Sequence, residues 1–136
     1  MVNTPLEILV VDDSRLQAEA SAEVIEFALK ANVTTKTRCE DALDDFKARL
    51  DTSTKYSIVF TDYNMEYIDD MDGIQLCEHI KQLDPKTKVV LITGYASGAI
   101  DALDKVSENL RPDKILEKPV DWERELLPYL ELNSGA

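Results

Sequence analysis

The sequence predicts an α/β protein in which helices cover both faces of one parallel sheet. Five short apolar segments alternate with five segments whose apolar residues recur at helical spacing. The first short segment, residues 6–11, is apolar along most of its length, as expected for a strand covered on both faces. Because strands and helices alternate, the sheet is expected to be mainly parallel with right-handed crossovers.

The elements can be assigned one by one along the chain. The predicted strands are residues 6–11, 33–38, 57–61, 88–93 and 114–117. Ser14 and Gln17 have the spacing of a capping box, which predicts that the first helix begins there. Apolar residues three or four positions apart indicate the five helices: Leu16, Ala20, Val24 and Ala28; Leu43, Phe46 and Leu50; Leu76, Ile80 and Leu83; Ala99, Ile100, Leu103, Val106 and Leu110; and Trp122, Leu126 and Leu130.

The composition limits the functions that such a fold could serve. The chain has 136 residues, 15 basic and 27 acidic, for a formal net charge of −12. Direct binding to nucleic acid is not expected, because phosphate contacts require a basic face. No apolar run is long enough to span a membrane and no signal peptide is recognisable, which predicts a cytoplasmic protein. Cys39 and Cys77 are too few for a disulfide scaffold and are expected to be small, partly buried apolar residues.

The domain organisation is predicted to be simple. Residues 1–136 are expected to form one domain, with a core of about residues 6–131 and a short polar tail at 133–136. A fragment of a larger kinase or regulator is an alternative that the sequence leaves open.

Reactive side chains follow four of the five predicted strands. Asp12 and Asp13 come after the first strand, Asp62 after the third, Thr93 ends the fourth, and Lys118 follows the fifth. In open α/β sheets, sites form at the carboxyl ends of strands, where the strand order reverses. Each residue alone has an ordinary explanation as a helix-start, turn, strand-end or loop residue. Their joint placement favours one shared site.

The chemistry of this group suggests a magnesium-dependent phosphoryl acceptor. Three carboxylates close together repel one another, and a divalent cation relieves that repulsion. Mg²⁺ prefers one or two carboxylates together with water and phosphate oxygens. Lys118 is a compact cation suited to a phosphate. A carboxylate beside a metal can accept a phosphoryl group covalently.

Four segments of the chain resemble the receiver domain of response regulators, and they occur in the order and at the spacing of that family. They are residues 10–14 (VVDDS), 58–65 (IVFTDYNM), 90–96 (VLITGYA) and 115–119 (ILEKP). The resemblance extends over about residues 6–131. It implies a five-stranded flavodoxin-like sheet of order 2-1-3-4-5.

The resemblance also implies a role for each site residue. Asp62 would be the phosphoacceptor, and Asp13 and Asp62 would bind Mg²⁺ directly. Asp12 would lie near the metal and contact it through water, and the backbone carbonyl of Asn64 would be a further metal ligand. Thr93 would donate a hydrogen bond to a phosphoryl oxygen, and Lys118 would form an ion pair with the phosphoryl group. The peptide bond between Lys118 and Pro119 is often cis in this family.

The implied function is that of a signalling switch or relay. The phosphoryl donor would be a histidine kinase or a histidine phosphotransfer protein, and small acyl phosphates could also serve. Output would pass to a downstream protein through the face formed by the fourth helix, fifth strand and fifth helix. Such a domain contacts neither nucleic acid nor membrane directly, and it catalyses only its own phosphorylation and dephosphorylation.

The sequence departs from the family pattern in two places. Between Asp62 and Gly73, Glu66 replaces the usual proline and three extra residues lengthen an acidic loop, residues 66–72, which is either a solvated loop or a partner-specific or metal-proximal lid. Ile115 stands where many receivers have an aromatic residue that moves with the threonine on phosphorylation, and isoleucine cannot act in the same way. Two further residues near the predicted site or on its helices have open or minor roles. Tyr95 is either a cover for the phosphoryl group or a surface residue.

His79 is expected to be exposed on the third helix, without a role as phosphodonor.

Three other functions are alternatives to this one. A receiver-like docking module that is never phosphorylated would need the fold but not the chemistry. A metal-dependent phosphatase with an aspartate nucleophile would need Asp-x-Asp after the first strand, and Ser14 occupies the place of its second Asp. A nucleotide- or flavin-binding module would need a glycine-rich loop that the four glycines of this chain do not form.

Overall fold

The structure is a computed structural model that describes residues 5–63 and 71–130. Within these ranges five strands alternate with five α-helices, and two short 3-10 turns follow the last two helices. The strands are β1 (Glu7–Val11), β2 (Asn32–Lys36), β3 (Ile58–Asp62), β4 (Lys88–Thr93) and β5 (Lys114–Glu117). The helices are α1 (Arg15–Leu29), α2 (Cys39–Arg49), α3 (Gly73–Leu83), α4 (Ala96–Leu103) and α5 (Trp122–Glu125), and the 3-10 turns are Glu108–Leu110 and Leu127–Tyr129.

The strands form one parallel sheet in the order β2-β1-β3-β4-β5. This confirms the fold class and the strand order expected from the sequence. The chain moves outward from β1 to β2 and then returns to the other side of β1 as β3, so the order reverses between β1 and β3. Val11 pairs with Thr61 across this switch point, which brings the residues that follow these two strands together.

Two apolar layers hold the sheet between helices. On one face, Leu9 and Val59 pack with residues of α2 and α3, and Leu91 packs with residues of α4. On the other face, Ile8 and Phe60 pack with residues of α1 and α5. Successive residues of a strand point to opposite faces, which is why both sets must be apolar.

The buried side of α1 differs from the stripe that marked the helix in the sequence. Leu16 is 78% exposed and Val24 is 42% exposed, and Ala20 also faces solvent. The residues that face the sheet are Ala18, Ala22, Ile25 and Leu29. Both sets have helical spacing, so the pattern identified the helix but not its buried face. Alanines at 18 and 22 let the start of α1 lie close to the sheet.

The predicted fourth helix is shorter than its apolar pattern. It ends at Leu103, because the N–H groups of Asp104, Lys105 and Val106 each bond to a carbonyl three residues back, which tightens the last turn. Val106 and Leu110 still pack beside Leu103, through the following 3-10 turn. The apolar spacing therefore reflects a shared packing site rather than one continuous helix.

The predicted last helix is interrupted as well. After Glu125 the chain forms a 3-10 turn that contains Pro128. Proline has no N–H to donate to the carbonyl four residues back, so the α-helical ladder cannot continue through it. Leu126 is buried against the sheet, whereas Leu130 is 43% exposed.

Both cysteines are free and buried, which extends the prediction that they are partly buried apolar residues. Burial raises the pKa of Cys77 to about 12, so its thiol is protonated and unreactive at neutral pH. No helix in the described part of the chain has both the length and the hydropathy needed to cross a bilayer.

Candidate functional site

Three aspartates converge at the switch point of the sheet. Asp62 is the last residue of β3, and Asp12 and Asp13 directly follow the adjacent strand β1. One carboxylate oxygen from each of the three lies within 4.8 Å of the others. Asp12 is 8% exposed and Asp62 is 7% exposed. Such closely spaced and mostly buried carboxylates repel one another in the absence of a cation.

The pKa of Asp12 is raised mainly because its carboxylate is buried, and the charge of Asp62 adds to the effect. Burial and the charge of Asp62 raise the pKa of Asp12 from 3.8 to about 6, against the opposing effects of the Ser14 N–H and Lys118. The Ser14 N–H donates to Asp12 Oδ1 at 2.9 Å and fixes the carboxylate at the start of α1. A titratable group perturbed in this way, in a concave site, is a mark of functional sites.

Lys118 supplies the positive charge of the cluster. Its backbone N–H donates to Thr93 O at 2.8 Å, and the peptide bond to Pro119 is cis. Its ammonium lies 3.0 Å from Asp62 Oδ2 and 4.0 Å from Asp12 Oδ2. Partial burial opposes the charge, but the hydrogen bond and charge of Asp62 outweigh it, and the pKa of Lys118 is raised. The lysine therefore stays protonated beside the acids.

Thr93 completes the edge of the site from β4. It is 5% exposed, and its hydroxyl oxygen accepts from the Tyr95 N–H at 3.1 Å and lies 3.4 Å from the Tyr95 carbonyl. The Tyr95 side chain is 69% exposed, and its ring lies against Gly98 in the first turn of α4. This location fits the surface-residue alternative, and a covering role for Tyr95 stays a prediction.

The other residues singled out in the sequence fall elsewhere. Asn64 and residues 66–70 of the acidic loop lie outside the described residues. At the end of that loop, Asp72 and Gln75 form a reciprocal capping box that starts α3. His79 is exposed on α3, as predicted. Ile115 packs with residues of α4 and the turn that follows.

Two contacts of the site were not predicted. The Gln17 amide oxygen accepts from the Lys118 ammonium at 3.3 Å, instead of completing the capping box with Ser14. Glu117 Oε1 accepts from the N–H of Ala96 at 3.0 Å and so caps the start of α4. The sequence places Gln17 one turn beyond Asp13, a weak signal that it could reach the site, and it holds no signal for the Glu117 contact.

Comparison with known proteins identifies the family. A family model described as "Response regulator receiver domain" matches residues 8–129. The chain belongs to the response regulator receiver family. It is therefore a receiver domain of the kind found in two-component systems. Receiver domains bind Mg²⁺ in an acidic pocket and interact in general with kinases or phosphotransfer proteins. In this receiver Asp12, Asp13 and Asp62 form a cluster of acids that could hold a metal ion.

One curated relative matches part of this receiver. The response regulator receiver protein CpdR of Brucella abortus (strain 2308) is 38% identical over 64 residues, which are 47% of this chain and 48% of that protein. The match thus spans about half the length of this curated relative.

Solved structures share the fold along nearly the whole receiver. The signal receiver domain of an HD domain-containing protein from Pseudomonas fluorescens Pf-5 has a TM-score of 0.77 at 23% identity, covering 98% of this chain and 92% of that one. Chemotaxis protein CheY4 of Vibrio cholerae has a TM-score of 0.74 at 19% identity, with coverages of 96% and 99%. The receiver domain of NtrX from Brucella abortus has a TM-score of 0.72 at 26% identity, with coverages of 91% and 98%.

Proposed function

We propose that this receiver accepts a phosphoryl group on Asp62 in a Mg²⁺-dependent reaction and signals through protein contacts. The observation that carries the proposal is the geometry of Asp62. Its carboxylate ends a buried strand, shares a pocket with two other carboxylates, and has the Lys118 ammonium at 3.0 Å. That arrangement combines a nucleophilic oxygen, ligands for a divalent cation and a partner for a phosphoryl oxygen.

The residues present fit the chemistry of Mg²⁺. Its preferred ligands are carboxylate and carbonyl oxygens with several waters, and the three carboxylates lie close enough together for a cation to relieve their repulsion. Asp13 and Asp62 would bind the ion directly, Asp12 would bind it through water, and the carbonyl of Asn64 would be a further ligand. The bound ion would neutralise charge on the carboxylates and on the phosphoryl oxygens.

The transfer step follows from these positions. A carboxylate oxygen of Asp62 attacks the phosphorus of a phosphohistidine, forming a P–O bond as the P–N bond breaks. The electron pair of the broken bond remains on the imidazole nitrogen, which takes a proton from solvent. Lys118 pairs with one phosphoryl oxygen, and the Thr93 hydroxyl turns from the Tyr95 carbonyl to donate to another.

The partners follow from the same chemistry. The donor would be a histidine kinase or a histidine phosphotransfer protein, and small acyl phosphates would serve in vitro. Output would pass through the face of α4, β5 and α5, where Glu117 already joins β5 to the start of α4. The main rival is a docking module that keeps the acidic pocket without using it.

The deciding experiment is intact-mass measurement after incubation with acetyl phosphate, with Mg²⁺ or with EDTA. The wild type should gain roughly 80 Da, the mass of one phosphoryl group, when Mg²⁺ is present and should gain nothing in EDTA. Asp62→Asn should gain nothing and should keep its fold, because asparagine has the same shape without the charge. Asp101→Asn, on the exposed side of α4, is the matched control and should react like the wild type.

Other outcomes would separate the alternatives. Phosphate that still enters Asp62→Asn at the normal rate would move the acceptor to another residue. A wild type that gains no mass from acetyl phosphate or from a phosphohistidine-bearing donor would favour the docking module. Repeated turnover of p-nitrophenyl phosphate would favour the phosphatase.

A further inference from the structure

Gln17 contacts the site from α1, a helix that supplies none of the residues assigned above. It lies in the first turn of that helix, where its backbone N–H donates to Ser14 Oγ at 3.3 Å. The cap fixes the backbone and leaves the side chain to reach across a groove, where the amide oxygen meets Lys118 Nζ at 3.3 Å.

The Lys118 ammonium has acceptors on two sides. Asp62 Oδ2 lies at 3.0 Å and Asp12 Oδ2 at 4.0 Å on the acidic side, and Gln17 Oε1 lies at 3.3 Å on the side of α1. Since the Lys118 backbone is tied to Thr93, the position of the ammonium depends on these acceptors. An ammonium has three donors and can bind Gln17 and an acid together.

This arrangement matters because Lys118 and a divalent cation would share ligands. An ammonium that pairs with Asp62 competes with the cation for the same oxygens. When a cation or a phosphoryl group arrives, the ammonium has to loosen its contact with Asp62. A neutral oxygen within reach lets it do so without losing all its protein partners. A carboxylate in that place would instead bring a further negative charge to a site that accepts a phosphoryl group.

We propose that Gln17 is a positioning residue for Lys118, whose amide oxygen retains the ammonium at the rim of the site while Asp62 binds a divalent cation. The inference rests on the proposed function, since it concerns the metal and phosphoryl site named there. It does not depend on phosphoryl transfer, because metal binding alone tests it.

The intrinsic fluorescence of a tryptophan beside the site can report Mg²⁺ binding. Trp122 is the one tryptophan of the chain, and it lines the same groove as Asp12, Gln17 and Lys118. Its fluorescence can therefore follow Mg²⁺ titrations of the whole 136-residue chain, without a label and without phosphorylation.

The experiment is a double-mutant cycle on Mg²⁺ affinity. Gln17→Met keeps the size of the side chain and removes the acceptor oxygen, and it should raise the Kd for Mg²⁺ about threefold to tenfold, the equivalent of one hydrogen bond. Lys118→Ala should bind Mg²⁺ at least as tightly as the wild type, because the competing ammonium is gone. In the Lys118→Ala background, Gln17→Met should have no further effect, because the proposed coupling acts through the lysine.

A control variant and three possible results decide whether Gln17 acts through Lys118. Gln82→Met, at an exposed position of α3, should leave the Kd unchanged. Equal Mg²⁺ affinity of the wild type and Gln17→Met would overturn the inference and leave the proposed function standing. The same loss of affinity in both backgrounds would also overturn it, because Gln17 would then act without Lys118. Failure of the wild type to accept phosphoryl from any donor would overturn the acceptor proposal, while the Mg²⁺ cycle would still decide the role of Gln17.

Discussion

Asp12 is a residue at which stability and the proposed chemistry oppose each other. Burial and the charge of Asp62 raise its pKa from 3.8 in the unfolded chain to about 6, so the folded protein binds the proton more tightly. The resulting stabilisation is complete below about pH 4 and is lost as the pH rises through about 6. At neutral pH the ionised carboxylate is therefore a cost that the fold tolerates at this position.

Asp12→Asn should remove that cost, since the asparagine oxygen can still accept from the Ser14 N–H. In EDTA at about pH 7.5, the free energy of unfolding should rise by about 1 to 3 kcal/mol. The gain should shrink as the pH falls through about 6 and vanish near pH 4. Urea denaturation followed by Trp122 fluorescence measures it, with Asp101→Asn as the control. A gain that grows on acidification would contradict this assignment of the charge.

The residues of the site differ in how far the sequence reveals them. Asp12, Asp62, Thr93 and Lys118 end or follow buried strands, and parallel strands bring their carboxyl ends to one edge. Their convergence follows from the strand pattern alone. The contact of Gln17 with Lys118 depends instead on how α1 lies relative to the chain after β5, a tertiary relation that no local pattern records.

At the scale of the elements, Gly73 joins α3 to the strand that carries Asp62. A Cβ placed on Gly73 would lie 2.2 Å from the carbonyl oxygen of Asp62 and 3.0 Å from Tyr63 Cα. The Gly73 N–H also donates to Tyr63 O at 3.1 Å. The chain therefore returns from the acidic loop directly onto the end of β3, and glycine is needed because the neighbouring atoms are backbone.

Gly73→Ala should therefore disturb both the fold and the site. Overpacking against backbone should lower the free energy of unfolding by about 1 to 3 kcal/mol, and the displaced Asp62 should accept phosphoryl more slowly from acetyl phosphate. Gly98→Ala is the matched control, because a Cβ there would meet the exposed Tyr95 ring, which can move, and alanine favours a helix. Normal stability and normal phosphorylation of Gly73→Ala would show that the α3–β3 contact is looser than described.

The elements themselves were predicted with unequal success for a physical reason. Each strand was located to within two residues at either end, because apolar β-branched runs leave few alternatives. The buried face of α1 was not identified, since apolar residues lie on two sides of that helix and only the packing selects between them. The fourth and fifth helices were predicted too long, because apolar spacing continues through 3-10 turns that pack in the same way.

At the scale of the whole molecule, polar groups occupy both ends of the sheet but differ in their use. At the end opposite the aspartates, the ammonium of Lys81 in α3 lies 2.7 Å from Asp113 Oδ2 and 2.8 Å from Thr87 O. Asp113 also accepts from the N–H of Val89 at 2.8 Å. This pair connects α3 to the starts of β4 and β5. Among the described residues, no cluster of acids that could hold a metal ion lies at this end of the sheet. The charges of Lys81 and Asp113 are instead paired with each other.

The two partners of this pair should contribute unequally to stability. The Lys81 side chain is 6% exposed and that of Asp113 is 34% exposed. Asp113→Ala leaves a buried ammonium without its counter-charge and should cost about 3 to 5 kcal/mol. Lys81→Met leaves a carboxylate that water can reach and that still accepts from Val89, so its cost should be nearer 1 to 2 kcal/mol, roughly that of a lost charged hydrogen bond. Urea denaturation compares the two variants with the wild type.

Variants of the same pair test whether the residues that stabilise the fold act independently of those that carry the proposed chemistry. Thr87 precedes β4 and Thr93 ends it, and Asp113 precedes β5 and Lys118 follows it, so the ion pair and the proposed phosphoryl site lie at opposite ends of the same two strands. Lys81→Met should therefore accept phosphoryl from acetyl phosphate at the wild-type rate under conditions in which it is fully folded. A folded variant that reacts slowly would show that the ion pair positions Asp62 or Lys118 through the sheet. If Lys81→Met and Asp113→Ala lowered the free energy of unfolding equally, the burial of Lys81 would not be the cause of the stability that the pair provides.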